Sequence, residues 1–91
     1  MIVIKLFGSG EEEPAYRRLL DTVRVVAARF PADQVRIEEH AQDDEEAAFY
    51  GVVLTPTLVV NDTIVSVGKL IPAGRLLRLL EAEHEAPAGE S

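Results

Sequence analysis

The chain contains no cysteine and no tryptophan. Without cysteine there are no structural disulfides, no thiol nucleophile, no thiolate-bound metal and no Cys-ligated cluster. Stability reached without such staples suits a cytoplasmic protein. Aromatic residues supply only 5% of the sequence, so the core has to be built from Val, Leu, Ile and Ala. Basic residues are also scarce: 9 Lys and Arg face 16 Asp and Glu, giving a net charge of −7. An acidic surface repels a phosphate backbone, which argues against nucleic acid as a partner. No apolar run approaches the length of a membrane span. The apolar start, Met1 to Phe7, is too short for a signal peptide and has no basic leader. What is left is a chain of 91 residues, 47% hydrophobic, with room for one domain and one core.

The clearest local signal is a hairpin. Thr57 to Val60 and Thr63 to Val67 are β-rich runs joined by Asn61-Asp62. A two-residue link of that kind favours positive φ at both central positions. Pro56 precedes the first run, where its missing N–H does no harm. A Thr-Pro bond there is also a candidate for the cis form, although most X–Pro bonds are trans.

The other elements follow in order. Met1 to Phe7 is apolar on both parities, as in a central strand, and Gly8-Ser9-Gly10 breaks it. Glu11-Glu12-Glu13-Pro14 is expected to open a helix with its acids in the first turn, facing the positive end of the dipole. Tyr16, Leu19, Leu20, Val23, Val26, Ala27 and Phe30 repeat at helical spacing until Pro31. Gln34 to His40 alternates like a half-buried strand near a sheet edge. Gln42 to Glu46 starts a short second helix whose apolar face is Ala47, Ala48, Phe49 and Tyr50, closed by Gly51. After the hairpin, Leu76, Leu77, Leu79 and Leu80 mark a last helix. The expected domain covers residues 1–84, with 85–91 as a frayed tail. The order is β-α-β-α-β-β-α. We expect an α/β fold with a four-stranded mixed sheet, strands 3 and 4 antiparallel to strands 1 and 2, and helices on both faces.

This is the element order of the thioredoxin fold. Tyr50-Gly51-Val52, Thr55-Pro56-Thr57-Leu58-Val59-Val60-Asn61 and Val65-Ser66-Val67-Gly68-Lys69 resemble the small redox-active disulfide proteins, a glutaredoxin-sized branch of the thioredoxin superfamily. The resemblance spans Met1 to about Glu81 and implies a cis Thr55-Pro56 bond. It also implies a groove in which the residue before the proline offers its backbone to an extended peptide. In this chain that candidate binding groove comprises Ser9, Gly10, Glu11, Pro14, Tyr16, Leu54, Thr55 and Pro56. The family carries Cys-x-x-Cys directly after Gly-x-Gly. Here Glu11 and Pro14 hold the two thiol positions, and neither can exchange electrons through sulfur. The resemblance therefore implies the fold and not the thiol chemistry. A second resemblance, to the circadian clock protein KaiB family, rests on Thr55-Pro56-Thr57-Leu58 and the missing Cys-x-x-Cys, and implies a regulatory or assembly role.

The favoured reading is a redox-inactive protein-binding module, monomeric or homodimeric, with no catalytic residue, no cofactor and no metal. Glu11 to Glu13 either present a fixed negative charge to a partner or are ordinary helix-start acids. Thr55-Pro56 either shapes a docking groove or only fixes the start of a strand. Tyr16 is expected in the core with its hydroxyl at the rim. His40 and His84 are too far apart in sequence to make a metal pair, and neither has a spaced partner. A cysteine-independent enzyme using Glu11 or Glu13 as acid or base would need a raised carboxyl pKa, and a helix N-terminus pushes the other way.

Overall fold

The computed structural model describes residues 1–10 and 12–85. Its elements are β1 (Ile2–Gly8), α1 (Pro14–Ala27), a 3-10 turn (Ala32–Gln34), β2 (Val35–Ala41), α2 (Glu45–Tyr50), β3 (Thr57–Val60), β4 (Thr63–Val67) and α3 (Ala73–Glu85). The sheet order is β2-β1-β3-β4. β1 is therefore central, as its apolar residues on both parities require, and it pairs in parallel with β2 from Ile2↔Val35 to Gly8↔Ala41. β3 runs antiparallel to β1, with Leu6 opposite Leu58. The expected direction of β4 needs correcting. A hairpin reverses the chain, so β4 is antiparallel to β3 and runs with β1, not against it.

Two faces of unequal depth result. On one, Ile2, Ile4, Leu6, Leu58 and Val60 meet Tyr16, Leu19, Leu20, Val23 and Val26 of α1 and Leu76 and Leu80 of α3. This is the main core, and aliphatic side chains dominate it as the composition demands. On the other, only Phe7, Val59 and Ala47 form a small buried cluster under α2. Phe49, expected on the inner face of α2, is 77% exposed. In a helix of six residues the inward positions are Ala47 and its i+3 neighbour Tyr50, and Phe49 turns outward.

The helix ends also differ from expectation. α1 begins at Pro14, with no acidic residue in its first turn, and Glu13 is its N-cap without capping through its side chain. It closes at Ala27, and the N–H groups of Arg29 and Phe30 fold back onto the carbonyls of Val26 and Ala27 at 3.0 Å ahead of Pro31. Phe30 still packs against the core from this turn. α2 starts at Glu45, capped by Asp44, whose carboxylate accepts from the Glu46 N–H at 2.8 Å. Gly51 ends it in the left-handed region at φ 68°. Glu85, assigned to the tail, is the last residue of α3; the remaining tail, 86–91, lies outside the described residues.

In the hairpin, Asn61 and Asp62 have φ of 48° and 69°. Asn61 also ties the hairpin to the central strand. Its Oδ1 accepts from the Val3 N–H at 2.8 Å, and its own N–H donates to the Val3 carbonyl at 2.9 Å. β4 carries a bulge: Leu58 faces Ser66 and Val59 faces Ile64, leaving Val65 as the extra residue.

Candidate functional site

β1 ends in Gly8, and the loop that follows passes the start of α1. Gly8 is buried because the Tyr16 ring lies on it; an added Cβ would come within 2.3 Å of Tyr16 Cδ1. Tyr16 is buried, and its hydroxyl donates to Glu39 Oε1 at 2.8 Å. A shallow cavity of about 230 Å³ opens here between Gly8-Ser9-Gly10, Tyr16 and the Glu39-to-Ala41 end of β2.

The loop is organised by Glu13. Its Oε1 accepts from the Ser9 N–H at 3.0 Å and the Ser9 hydroxyl at 2.9 Å. Its Oε2 accepts from the Thr55 hydroxyl at 3.2 Å. One carboxylate thus joins the loop after β1 to the loop before β3. The Ser9 N–H holds the Glu13 carboxyl below its ordinary range, aided by the Ser9 and Thr55 hydroxyls and opposed by partial burial. A group stabilised as an anion is a poor general acid or base near neutrality, which counts against the glutamate-enzyme reading.

Across from Glu13, the Thr55-Pro56 bond is cis and Pro56 is buried. Its carbonyl accepts from Gly68 N–H at 2.8 Å. Among the described residues, the backbone N–H and C=O of Thr55 make no hydrogen bond. Beside it, Val53 and Leu54 are 74% and 57% exposed. The Leu54 carbonyl accepts from the Thr57 hydroxyl at 2.6 Å, and its side chain lies over Gly68.

Of the residues singled out in the sequence, Ser9, Gly10 and Thr55 meet around Glu13, with the Gly10 carbonyl accepting the Glu13 N–H at 3.1 Å, and Pro56 follows Thr55. Pro14 follows as the first residue of α1, and Leu54 flanks Thr55. Tyr16 sits apart from Leu54, on the β2 side of the loop. Glu11 lies outside the described residues. Glu13 was legible as a helix-start acid, a charge offered to a partner or an acid-base group, but not as a bridge between the two loops, because its partner Thr55 is 42 residues away.

A second cluster was missed. On the α2 face, His40 stacks on Phe7 with ring centroids 5.2 Å apart. Its Nε2 is 3.0 Å from Glu38 Oε1 and its Nδ1 is 3.1 Å from Asp44 Oδ2. Burial pulls the imidazole pKa down, but the hydrogen bonds to Glu38 and Asp44 outweigh it, and the net shift is upward. The bond to His40 in turn holds Glu38 below its usual range. Lys5, with a side chain 14% exposed, donates to Glu46 Oε1 at 2.9 Å and Tyr50 Oη at 3.2 Å. The Glu46 contact raises its pKa. Glu38, His40 and Glu46 bring ligand-type atoms within 4.8 Å of one another, but the Lys5 ammonium already supplies a cation to Glu46. The alternation Glu38-x-His40 on a half-buried strand, with an acid four residues after the histidine, was the available signal.

A four-stranded mixed sheet, helices on both faces and a cis proline opposite the first helix define a thioredoxin-like domain. Residues 15–81 match the family model described as thioredoxin domain, and the chain belongs to that family. Similar solved structures include chloroplastic thioredoxin z, with a TM-score of 0.74 and 13% identity, covering 94% of this chain and 80% of that one. Thioredoxin-2, a component of the malaria parasite protein secretion machinery, gives 0.70 and 14% identity, covering 90% and 82%. A further malarial protein gives 0.70 and 14%, covering 94% and 99%. At these identities the likeness is one of fold. No curated protein matches the chain. No helix among the described residues is long and apolar enough to cross a membrane.

Proposed function

We propose that this chain is a redox-inactive thioredoxin-like module that binds an extended segment of a partner protein beside Thr55-Pro56. The observation that carries this reading is Thr55 itself. Its backbone N–H and C=O make no hydrogen bond among the described residues, its hydroxyl is fixed by Glu13, and exposed Val53 and Leu54 adjoin it. Free backbone groups next to an apolar surface are what strand addition uses. The absence of cysteine leaves no thiol to attack a disulfide, and the Glu13 carboxylate, between the two positions that hold thiols in the family, joins Ser9 to Thr55. Thioredoxin z, whose structure defines a type-specific target recognition, shares this fold, in line with recognition as the retained function. We place the module in the cytoplasm, consistent with a domain that carries no disulfide.

The test uses a photo-cross-linking amino acid at position 54 in the native cell, with position 25 as control, since Val25 is at least as exposed but lies on α1. The expected result is a discrete partner cross-linked from position 54 and not from 25, with no reduction of insulin by the purified chain. Insulin turnover, or equal cross-linking from both positions, would overturn the proposal.

A further inference from the structure

β4 is an edge strand, and its outer side pairs with no strand among the described residues. A groove of about 340 Å³ runs along it, between the strand and the loop leading to α3. Ile64, Val67, Leu70 and Pro72 give this groove an apolar lining, and the first three are exposed, at 43%, 38% and 46%. Lys69 and Arg75 flank it, and neither forms an ion pair among the described residues. Among the described residues, no carboxylate lines it. In a chain with 16 acids and 9 bases that local balance is reversed. Ser66 lines the same groove, and its Oγ is a buried polar atom with no hydrogen-bond partner among the described residues. Unsatisfied buried hydroxyls are uncommon and call for an explanation.

We propose that the β4 edge is a second protein-binding site, which takes a short extended peptide carrying acidic side chains. Three features converge on that occupant. An open strand edge offers backbone groups for β-augmentation. The apolar lining receives alternate side chains of an added strand. Lys69 and Arg75 supply the charge complement for carboxylates and favour them over basic segments. The bulge at Val65 argues against a second copy of this chain as the occupant. Bulges twist an edge away from flat strand-to-strand self-association, whereas a short free peptide can follow the twist. The site lies on a different strand from Thr55-Pro56 and does not depend on that groove being occupied.

The test is an NMR titration of the ¹⁵N-labelled full chain with an N-acetylated hexapeptide alternating Val and Glu. The control peptide has Lys in place of Glu. The expected result is amide shifts concentrated in residues 63–72 with the Glu peptide. Binding should be at least tenfold weaker in the double variant Lys69→Glu, Arg75→Glu, which should now prefer the Lys peptide. Both substituted positions are exposed, and an unchanged melting temperature checks that the variant is folded. The proposal is overturned by an absence of shifts at millimolar peptide or by shifts confined to β2 or the Thr55 loop. Equal binding of both peptides, or concentration-dependent dimerisation through β4, overturns it too.

Discussion

Gly8→Ala tests the packing that sets the candidate site in place. The new Cβ would sit 2.3 Å from Tyr16 Cδ1 and 2.7 Å from both Cε1 and Cγ, far inside van der Waals contact. Gly8 has no positive φ, so the backbone itself accepts alanine and the whole penalty is steric. Relief requires the ring to move by about 1 Å, since ordinary carbon contacts lie near 3.5–4.0 Å and neighbours can share the rest. Tyr16 cannot move freely. It is buried among core residues and its hydroxyl is tied to Glu39. Overpacking of this kind destabilises by roughly 1–3 kcal/mol. Strain on the Tyr16–Glu39 bond adds about 0.5–1 kcal/mol, and reduced unfolded-state entropy returns about 0.4–1 kcal/mol. The net is about 2 kcal/mol. For a domain of this size each kcal/mol shifts the melting temperature by roughly 4–8 °C, so a drop of about 8–16 °C is expected. Thermal and urea unfolding by circular dichroism measure it. A double-mutant cycle with Tyr16→Leu should show coupling above about 1 kcal/mol, because the smaller side chain makes room. A Gly8→Ala variant melting within about 2 °C of the parent, or perfect additivity with Tyr16→Leu, would refute the reasoning.

Asn61→Ala removes the acceptor of the Val3 N–H and puts alanine at φ 48°, so a loss of about 2–4 kcal/mol is expected from the unpaired donor and the left-handed conformation together. Asn61→Gly keeps the conformational freedom and should be about 1 kcal/mol less damaging; equal losses in urea unfolding would discount the turn's share. His40 predicts a pH dependence. Its folded pKa is raised above the unfolded value near 6.5, so its contribution is fully present below pH 6.5 and is lost as pH rises through the folded pKa. The melting temperature of the parent minus that of His40→Gln should therefore fall between acid and mildly alkaline pH, and a flat difference would remove the His40 bridge between Glu38 and Asp44 from the account.

Much of the fold was legible because its signals are local. The two-parity apolar run of β1, the alternation in β2 and the Asn61-Asp62 link each specify their element without reference to distant residues. The errors have separate causes. α1 starts at Pro14, where proline suits the first helical position and holds Glu13 extended before it, so the acids fall outside the first turn; the contacts of Glu13 with Ser9 and Thr55 are tertiary and no local pattern encodes them. Phe49 was assigned inward by composition, yet a helix of six residues has too few inward positions to hold it. The Glu38, His40 and Asp44 cluster requires knowing that β2 and the α2 cap lie on one side of Phe7. Thr55 and Pro56 were legible as a strand entry and a candidate cis bond, and their groove role came from a resemblance, while the backbone of Thr55, without a hydrogen bond among the described residues, is visible only in three dimensions.

The most direct test of a binding role at Thr55-Pro56 is hydrogen–deuterium exchange on the chain, free and in complex with whatever partner is recovered from its native cell. The account predicts slowed exchange at Ser9, Gly10 and the segment 53–57, reduced when Leu54→Asp weakens the complex. Unchanged exchange across that segment, with protection only elsewhere, would contradict it.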